Sequence, residues 1–252
     1  MLRAVLFDFG DTLAYLWVPK AERFGWLCRQ AGVDVAPERA HAAAVAYERA
    51  WARGSAGPSL GWRGSLPAYA AGLRAAGYTR PDPLAGRIWC VAEALEREIR
   101  PDPAAAALLA ELRGAGLQTG VISNHFGLLA EHLGEIGLGA HWDVVLDAAK
   151  VHLCKPDPRI FALACRRLGL QPGEVVYVGD EPRADVEGAL AAGAAAVLLD
   201  PLGAYAEAGD AVRRVDGLAA VACALGIRLP RPTQPAAKGH AGSDASGSPL
   251  AL

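Results

Sequence analysis

The sequence predicts an α/β protein, a doubly wound parallel sheet that carries an inserted all-helical block. Three observations predict it. Short apolar runs alternate with helix-period segments from residue 100 onward, which is the pattern of βαβ units. The chain also begins on such a run, Val5-Leu6-Phe7. Between that run and the next strand signal, residues 15–99 show helical spacing and hardly any strand pattern. The expected organisation is a sheet core from 1–14 and 100–228, a helical cap from 15–99 and a disordered tail from 229–252.

Each element has a local reason. Val5-Leu6-Phe7 is continuously apolar, as a strand buried on both faces requires. Lys20–Ala31 is a helix with Phe24, Leu27 and Cys28 on one face. Pro37 opens a second helix that runs to Arg53, since proline suits a first helical turn. Gly54–Leu66 is a loop rich in Gly, Ser and Pro, and helices at Pro67–Ala76 and Asp82–Glu98 follow. Alternation then resumes. Helices are expected at Pro103–Ala115, His125–Ile136, Pro158–Leu168 and Asp185–Ala192, with Gly116, Gly169 and Gly193 as stops. Strands are expected at Leu117–Ser123, Val144–Leu146, Val175–Val178, Ala195–Leu199 and Val212–Val215, with a last helix ending near Leu225.

Composition narrows the function. A hydrophobic share of 52% with 21% charged residues is that of a globular protein with a sizeable core. A net charge of −2 gives no electrostatic footprint for nucleic acid. Cys28, Cys90, Cys154, Cys165 and Cys223 include no CxxC pair, so they point to neither a zinc site nor a disulfide framework. Buried thiols in a reducing cytosol are expected instead. The amino terminus runs directly into a strand without a signal-peptide pattern, and no apolar run is long enough to span a membrane. A cytoplasmic monomer or homodimer with neither nucleic acid nor membrane as partner is the expectation.

Four polar signatures fall at successive strand ends or helix starts: Asp8, Ser123-Asn124, Lys155-Pro156, and Gly179-Asp180 with Asp185 five residues on. Ligands of open α/β sheets bind at the carboxyl ends of strands. A phosphoryl group needs positive charge and hydrogen-bond donors around its oxygens. Lys155 offers the charge, Ser123 a hydroxyl, and the helix expected after Asn124 its unpaired N–H groups. Asp8, Asp180 and Asp185 make a hard-oxygen set suited to Mg²⁺. A carboxylate such as Asp8 can also act as a nucleophile that forms an aspartyl-phosphate.

The four stretches Phe7-Asp-Phe-Gly-Asp-Thr-Leu13, Val121-Ile-Ser-Asn124, Lys155-Pro-Asp-Pro-Arg-Ile-Phe161 and Val178-Gly-Asp-Glu-Pro-Arg-Ala-Asp-Val-Glu-Gly-Ala189 together resemble the motifs of the haloacid dehalogenase-like hydrolases. The resemblance covers residues 2–225 and includes a helical insertion after the first motif. It implies a Rossmann-like core with a helical cap, and hydrolysis of small phosphorylated metabolites through Asp8 as nucleophile. It implies that Ser123 and Lys155 hold the phosphate. It further implies that Asp8, the Gly10 carbonyl and Asp180 bind Mg²⁺, with Asp185 supporting the metal directly or through water.

One position departs from the pattern. Phosphatases of the resembled family usually carry an acid/base aspartate two residues after the nucleophile. Here Gly10 stands there and Asp11 follows. Asp11 substitutes only if the turn redirects it, and its other reading is a turn or capping role. A general acid/base contributes about 10²–10⁴ in rate, so the departure implies a slow phosphatase or a ligand- or partner-binding member with weak catalysis. A hydrolytic 2-haloacid dehalogenase is a further alternative, against which the Asp180/Asp185 pattern speaks. A lysine-dependent phosphonate chemistry is disfavoured because the helical block has a single lysine, Lys20, at its start.

Around the motifs, Trp62 and Arg63 on the Gly-rich loop are candidate substrate contacts, together with Asn124. Trp51 and Trp89 are expected to pack the helices. His125 is expected as a solvated or helix-start residue, His152 and Cys154 as loop residues that position Lys155, and Glu181 and Arg183 at the rim. Arginines of the helical block are expected mostly on a solvated face, with one a candidate for binding an anionic leaving group.

Overall fold

The computed structural model describes residues 1–54, 65–205 and 212–227. The expected tail at 229–252 and the loop residues Trp62 and Arg63 lie outside the described residues. Strand β1 (Ala4–Phe7) lies at the centre of a six-stranded sheet and is buried along its whole length. Its parallel neighbours are β4 (Gln118–Ser123) and β6 (Val175–Gly179). Outside these lie β5 (Val144–Asp147) on one side, and β7 (Ala195–Leu199) and β8 (Arg213–Val215) on the other. The order is β5-β4-β1-β6-β7-β8, with every pairing parallel. The doubly wound class read from the sequence is therefore the observed one.

Side chains of a strand alternate between its faces, and this builds two core layers. Val5 and Phe7 join Leu108, Leu109 and Leu112 of α5 (Ala105–Gly114), while Leu129 and Leu133 of α6 (Leu129–Glu135) close the layer. On the opposite face, Ala4 and Leu6 pack with Ile160, Phe161 and Ala164 of α8 (Pro158–Leu168). Asp157 caps α8 by accepting the Arg159 N–H, and Gly169 ends it in the left-handed conformation.

Among the described residues, a block of four helices stands between β1 and β4. It comprises α1 (Lys20–Gln30), α2 (Pro37–Gly54), α3 (Ser65–Ala75) and α4 (Asp82–Ala94). These helices enclose their own core, in which Tyr47 stacks on Tyr69 at 5.4 Å and tilts against Phe24 at 5.3 Å. Two short antiparallel strands that the sequence did not signal, β2 (Ala14–Leu16) and β3 (Ile99–Pro101), pair where the chain leaves and rejoins the sheet. Each has only three residues, too few for alternation to register.

Two further boundaries differ from expectation. The helix expected from His125 begins at Leu129, because Asp147 takes the N–H groups of Gly127 and Leu129 and holds 125–128 as a loop. The Asp185–Ala192 helix begins as a π turn over Pro182–Glu187 and continues as α9 (Gly188–Ala191). A one-turn helix, α7 (Ala148–Val151), follows β5, and α10 (Val221–Ala224) follows β8.

Candidate active site

The carboxyl ends of β1, β4 and β6 bring the expected residues together. Asp8 follows β1 directly, and its N–H donates to the Val178 carbonyl at 2.9 Å. Ser123 is the last residue of β4, and Asp180 follows β6. Asp8, Ser123, Lys155, Asp180 and Asp185 are all buried.

Lys155 organises the floor. Its Nζ lies 2.5 Å from Asp8 Oδ1, 2.6 Å from Asp185 Oδ1 and 3.0 Å from the Tyr177 hydroxyl. That hydroxyl donates in turn to the Ile122 carbonyl at 2.9 Å. Burial disfavours the ammonium, but the Asp185 and Asp8 carboxylates outweigh it and hold Lys155 well above the usual lysine range. The main chain of Lys155 is fixed by Asn124, whose Nδ2 donates to the Lys155 carbonyl at 2.9 Å and whose Oδ1 accepts the Lys155 N–H at 2.8 Å. The side chain expected to bind substrate is thus engaged at both ends in positioning the lysine.

Asp185 is likewise a shaping residue. Its Oδ2 accepts the N–H groups of Asp180 at 3.0 Å and Glu181 at 2.9 Å, while Oδ1 takes Lys155. A Cβ on Gly179 would overlap the Asp185 side chain, so only glycine allows this approach.

The acids are short of positive charge. Burial, only partly offset by Lys155, pushes the Asp8 carboxyl up to about 6. Burial also raises Asp180 well above the carboxylate range despite Lys20, and lifts Glu181 to about 7. Asp8, Asp180 and Asp185 each offer an oxygen within 4.8 Å of the others. A hard-oxygen set that two ammonium groups do not neutralise fits a divalent cation.

At the position of departure, Gly10 and Asp11 form the turn. Asp11 has φ +57° and donates its N–H to the Ala14 carbonyl at 2.7 Å. Aspartate tolerates this left-handed conformation better than most residues. Its carboxylate is gripped on both oxygens by Arg23 of α1, with Nη1 to Oδ2 at 2.6 Å. Burial alone would raise Asp11, yet Arg23 outweighs it and keeps the carboxyl below its usual range. Arg23 is thus buried, an exception among arginines expected mostly on a solvated face.

A cavity of about 1160 Å³ opens at the turn that follows Asp8. Phe9, Gly10, Asp11, Asn124, Trp51 and Phe126 are among the residues that line it. His152 and Cys154 border the same space. His125, expected to be solvated or to start a helix, is enclosed: it stacks on Phe126 at 4.2 Å and meets the edge of Phe9 at 5.8 Å. Its Nε2 lies 3.1 Å from His132 Nδ1. Arg183 is exposed and Glu181 is half-buried.

Lys20, at the start of the helical block, reaches the site. Its Nζ lies 2.5 Å from Asp180 Oδ2 and 2.6 Å from Glu48 Oε1. No local signal marks this contact, because its two residues are 160 positions apart.

The fold is a parallel α/β sheet with a buried aspartate at its central strand end and a lysine–acid cluster around it. A family model described as haloacid dehalogenase-like hydrolase matches residues 2–193, and the chain belongs to that family. It is 42% identical over 114 residues to a phosphoserine phosphatase of Thermus thermophilus, covering 44% of this chain and 46% of that protein. The chain thus spans about half the length of that relative. It is 32% identical to a ribulose-1,5-bisphosphate 5-phosphatase of Halopiger xanaduensis, over 86% of this chain and 90% of the other. An L-2-haloacid dehalogenase of Xanthobacter autotrophicus superposes with a TM-score of 0.54 at 22% identity, over 90% of this chain and 99% of that one. That likeness speaks to the fold alone. Among the described residues no helix is long and apolar enough to cross a membrane.

Proposed function

We propose that this protein is a Mg²⁺-dependent phosphomonoesterase of small phosphorylated metabolites, with Asp8 as nucleophile. One observation carries the reading: Asp8 stands at the end of the central strand with its Oδ1 2.5 Å from Lys155 Nζ, inside a cluster with Asp180 and Asp185. Phosphatase-named relatives support it. With its carboxyl at about 6, Asp8 is ionised at neutral pH and able to attack phosphorus. The new bond joins an Asp8 oxygen to phosphorus, and the ester oxygen leaves. Water then attacks the aspartyl-phosphate, which releases inorganic phosphate and restores Asp8.

Lys155 stabilises the charge on the phosphoryl oxygens, and Ser123 donates a hydrogen bond to them. Asp8, the Gly10 carbonyl and Asp180 would hold the metal, while Asp185 fixes the loop that presents Asp180. When bound, the metal offsets the repulsion between the anionic phosphate and the attacking carboxylate. The helices of residues 15–99 act as the cap over the cavity.

The position two residues after the nucleophile holds no carboxyl group, and Asp11 is committed to Arg23. Protonation of the leaving oxygen therefore falls to solvent, and esters with good leaving groups turn over fastest. The same observation favours a second reading, a member that binds a phosphorylated ligand with little catalysis. The test is phosphate release from 4-nitrophenyl phosphate and from a panel of metabolite phosphates. Loss of release with a chelator and with Asp8→Asn is expected. Absence of release across the panel with ligand binding retained supports the second reading, and metal-independent halide release from 2-chloropropionate overturns the first.

A further inference from the structure

Lys20 is a buried cation at the junction of helical block and sheet. Only 8% of the residue is exposed. Its ammonium bridges Asp180 Oδ2 at 2.5 Å and Glu48 Oε1 at 2.6 Å. Glu48, on α2, is 3% exposed, and its Oε1 also accepts the Tyr205 hydroxyl at 2.8 Å. One turn along α1, Arg23 holds Asp11. Residues three apart share a helix face, so a single face of α1 meets two carboxylates of the sheet loops. Tyr205 extends the network to the loop after β7, where Asp200 accepts the N–H groups of Ala204 and Tyr205 at 2.7 and 3.0 Å.

Asp180 cannot serve two masters at one oxygen. On the reading that Asp180 holds a divalent cation, its Oδ2 already carries an ammonium. Among the described residues its Oδ1 has only a long contact, 3.5 Å, from the Thr12 hydroxyl. Two cations on one buried carboxylate repel strongly, because little solvent separates them. Glu48 supplies the ammonium with a second resting partner that is no part of the acid cluster.

We propose that Lys20 is a positioning residue that competes with the divalent cation for Asp180, so that metal affinity is set from the helical block. With the metal absent, the ammonium bridges Asp180 and Glu48. With the metal bound, it rests on Glu48 and the α1 face loosens its hold on Asp180. The coupling is reciprocal: whatever strengthens the Lys20–Asp180 contact weakens metal binding by the same factor.

The experiment measures Mn²⁺ binding to the full chain by electron paramagnetic resonance of the free ion, without substrate. Lys20→Met is expected to bind Mn²⁺ about tenfold tighter or more than the wild type. A purely structural role for Lys20 predicts the opposite, since a disordered site binds more weakly. The double variant Lys20→Met/Glu48→Gln keeps the net charge of the wild type and leaves Glu48 no charge to bury unpaired. It is expected to retain the tightening, which a general field effect would erase, and it carries the test if the single variant does not fold. Wild-type binding that both variants leave equal or weaker overturns this proposal alone. Absence of Mn²⁺ binding by all three proteins overturns it together with the metal reading.

Discussion

Arg23 of α1 grips both oxygens of Asp11, with Nη1 2.6 Å from Oδ2, and so ties the helical block to the turn that follows Asp8. The pair is largely buried, with side-chain exposures of 9% and 19%. Removing one partner of a buried pair strands the other charge and typically costs about 3–5 kcal/mol. Arg23→Met is therefore expected to lose several kcal/mol in denaturant unfolding, near that range. A loss under about 1 kcal/mol would place the pair among ordinary surface contacts.

Gly10 invites a gain of function. A Cβ there meets no atom within 4 Å, and Gly10 is not among the positive-φ glycines. An aspartate fits without backbone strain. Gly10→Asp is expected to raise turnover of alkyl phosphates by about 10²–10⁴, the usual contribution of a general acid/base. Aryl phosphates, whose leaving groups need less protonation, should gain much less. Equal gains on both would argue against proton donation as the missing element.

Much of this site was legible in the sequence, and the reasons are local. Asp8, Ser123, Lys155, Asp180 and Asp185 each sit at a strand end or a helix start, and strand order in a doubly wound sheet brings such ends together. Position along the chain sufficed for these five. Lys20 and Arg23 were not legible, because their meaning lies in how α1 docks on loops far away in sequence. Nor was the double clamp of Asn124 on Lys155, which depends on the conformation of two loops. β2 and β3 escaped notice because three-residue strands carry no periodicity. The start of α6 was misplaced because Asp147, eighteen residues beyond Leu129, captures the amide that a local cap would have taken.

Gly179→Ala tests the close approach of Asp185. The added methyl overlaps the Asp185 carboxylate, which must then release Lys155 or the N–H groups of Asp180 and Glu181. Overpacking of this kind typically costs about 1–3 kcal/mol. Thermal melts should show that loss, and phosphate release should fall further than the unfolded fraction explains.

Asp147 holds the loop after β4 by accepting three backbone N–H groups, from Gly127 at 2.9 Å, Leu129 at 3.1 Å and Ala149 at 3.0 Å. Asp147→Ala strips the Gly127 and Leu129 N–H groups of this acceptor, at about 1–3 kcal/mol for each one left buried and unsatisfied, while the Ala149 N–H keeps the His125 carbonyl at 3.3 Å. Amide exchange at 127–129 should quicken by more than the global stability loss accounts for, and an even change across the sheet would refute the local role.

His125 sets a pH dependence. Burial pushes its imidazole below the ordinary 6.5, outweighing the Asp147 carboxylate 3.5 Å away, and His132 pushes in the same direction as burial. Glu131, the other acid acting on it, opposes the shift. Below 6.5 the unfolded chain binds the proton more readily than the folded one, so this contribution to stability is complete above 6.5 and is lost as pH falls through the folded value. Proton NMR of the ring should titrate below 6.5, and His125→Asn should flatten the acid side of the stability profile.

The two-stranded ribbon at the base of the helices has a kinetic meaning. Ala14 pairs with Pro101 and Leu16 with Ile99, so the ribbon joins the ends of a segment that holds four helices. β1, by contrast, finds its partners only at Gln118 and Val175, far along the chain. Helical contacts form locally and fast, whereas distant parallel pairing is slow. Once the helices have gathered and the ribbon has zipped, the chain between β1 and β4 is a loop already closed. The sheet then searches over an effectively shorter polymer, and each halving of that length saves about 0.6 kcal/mol of closure entropy. Early folding of the insertion thus offsets the delay that its length would otherwise impose on the sheet.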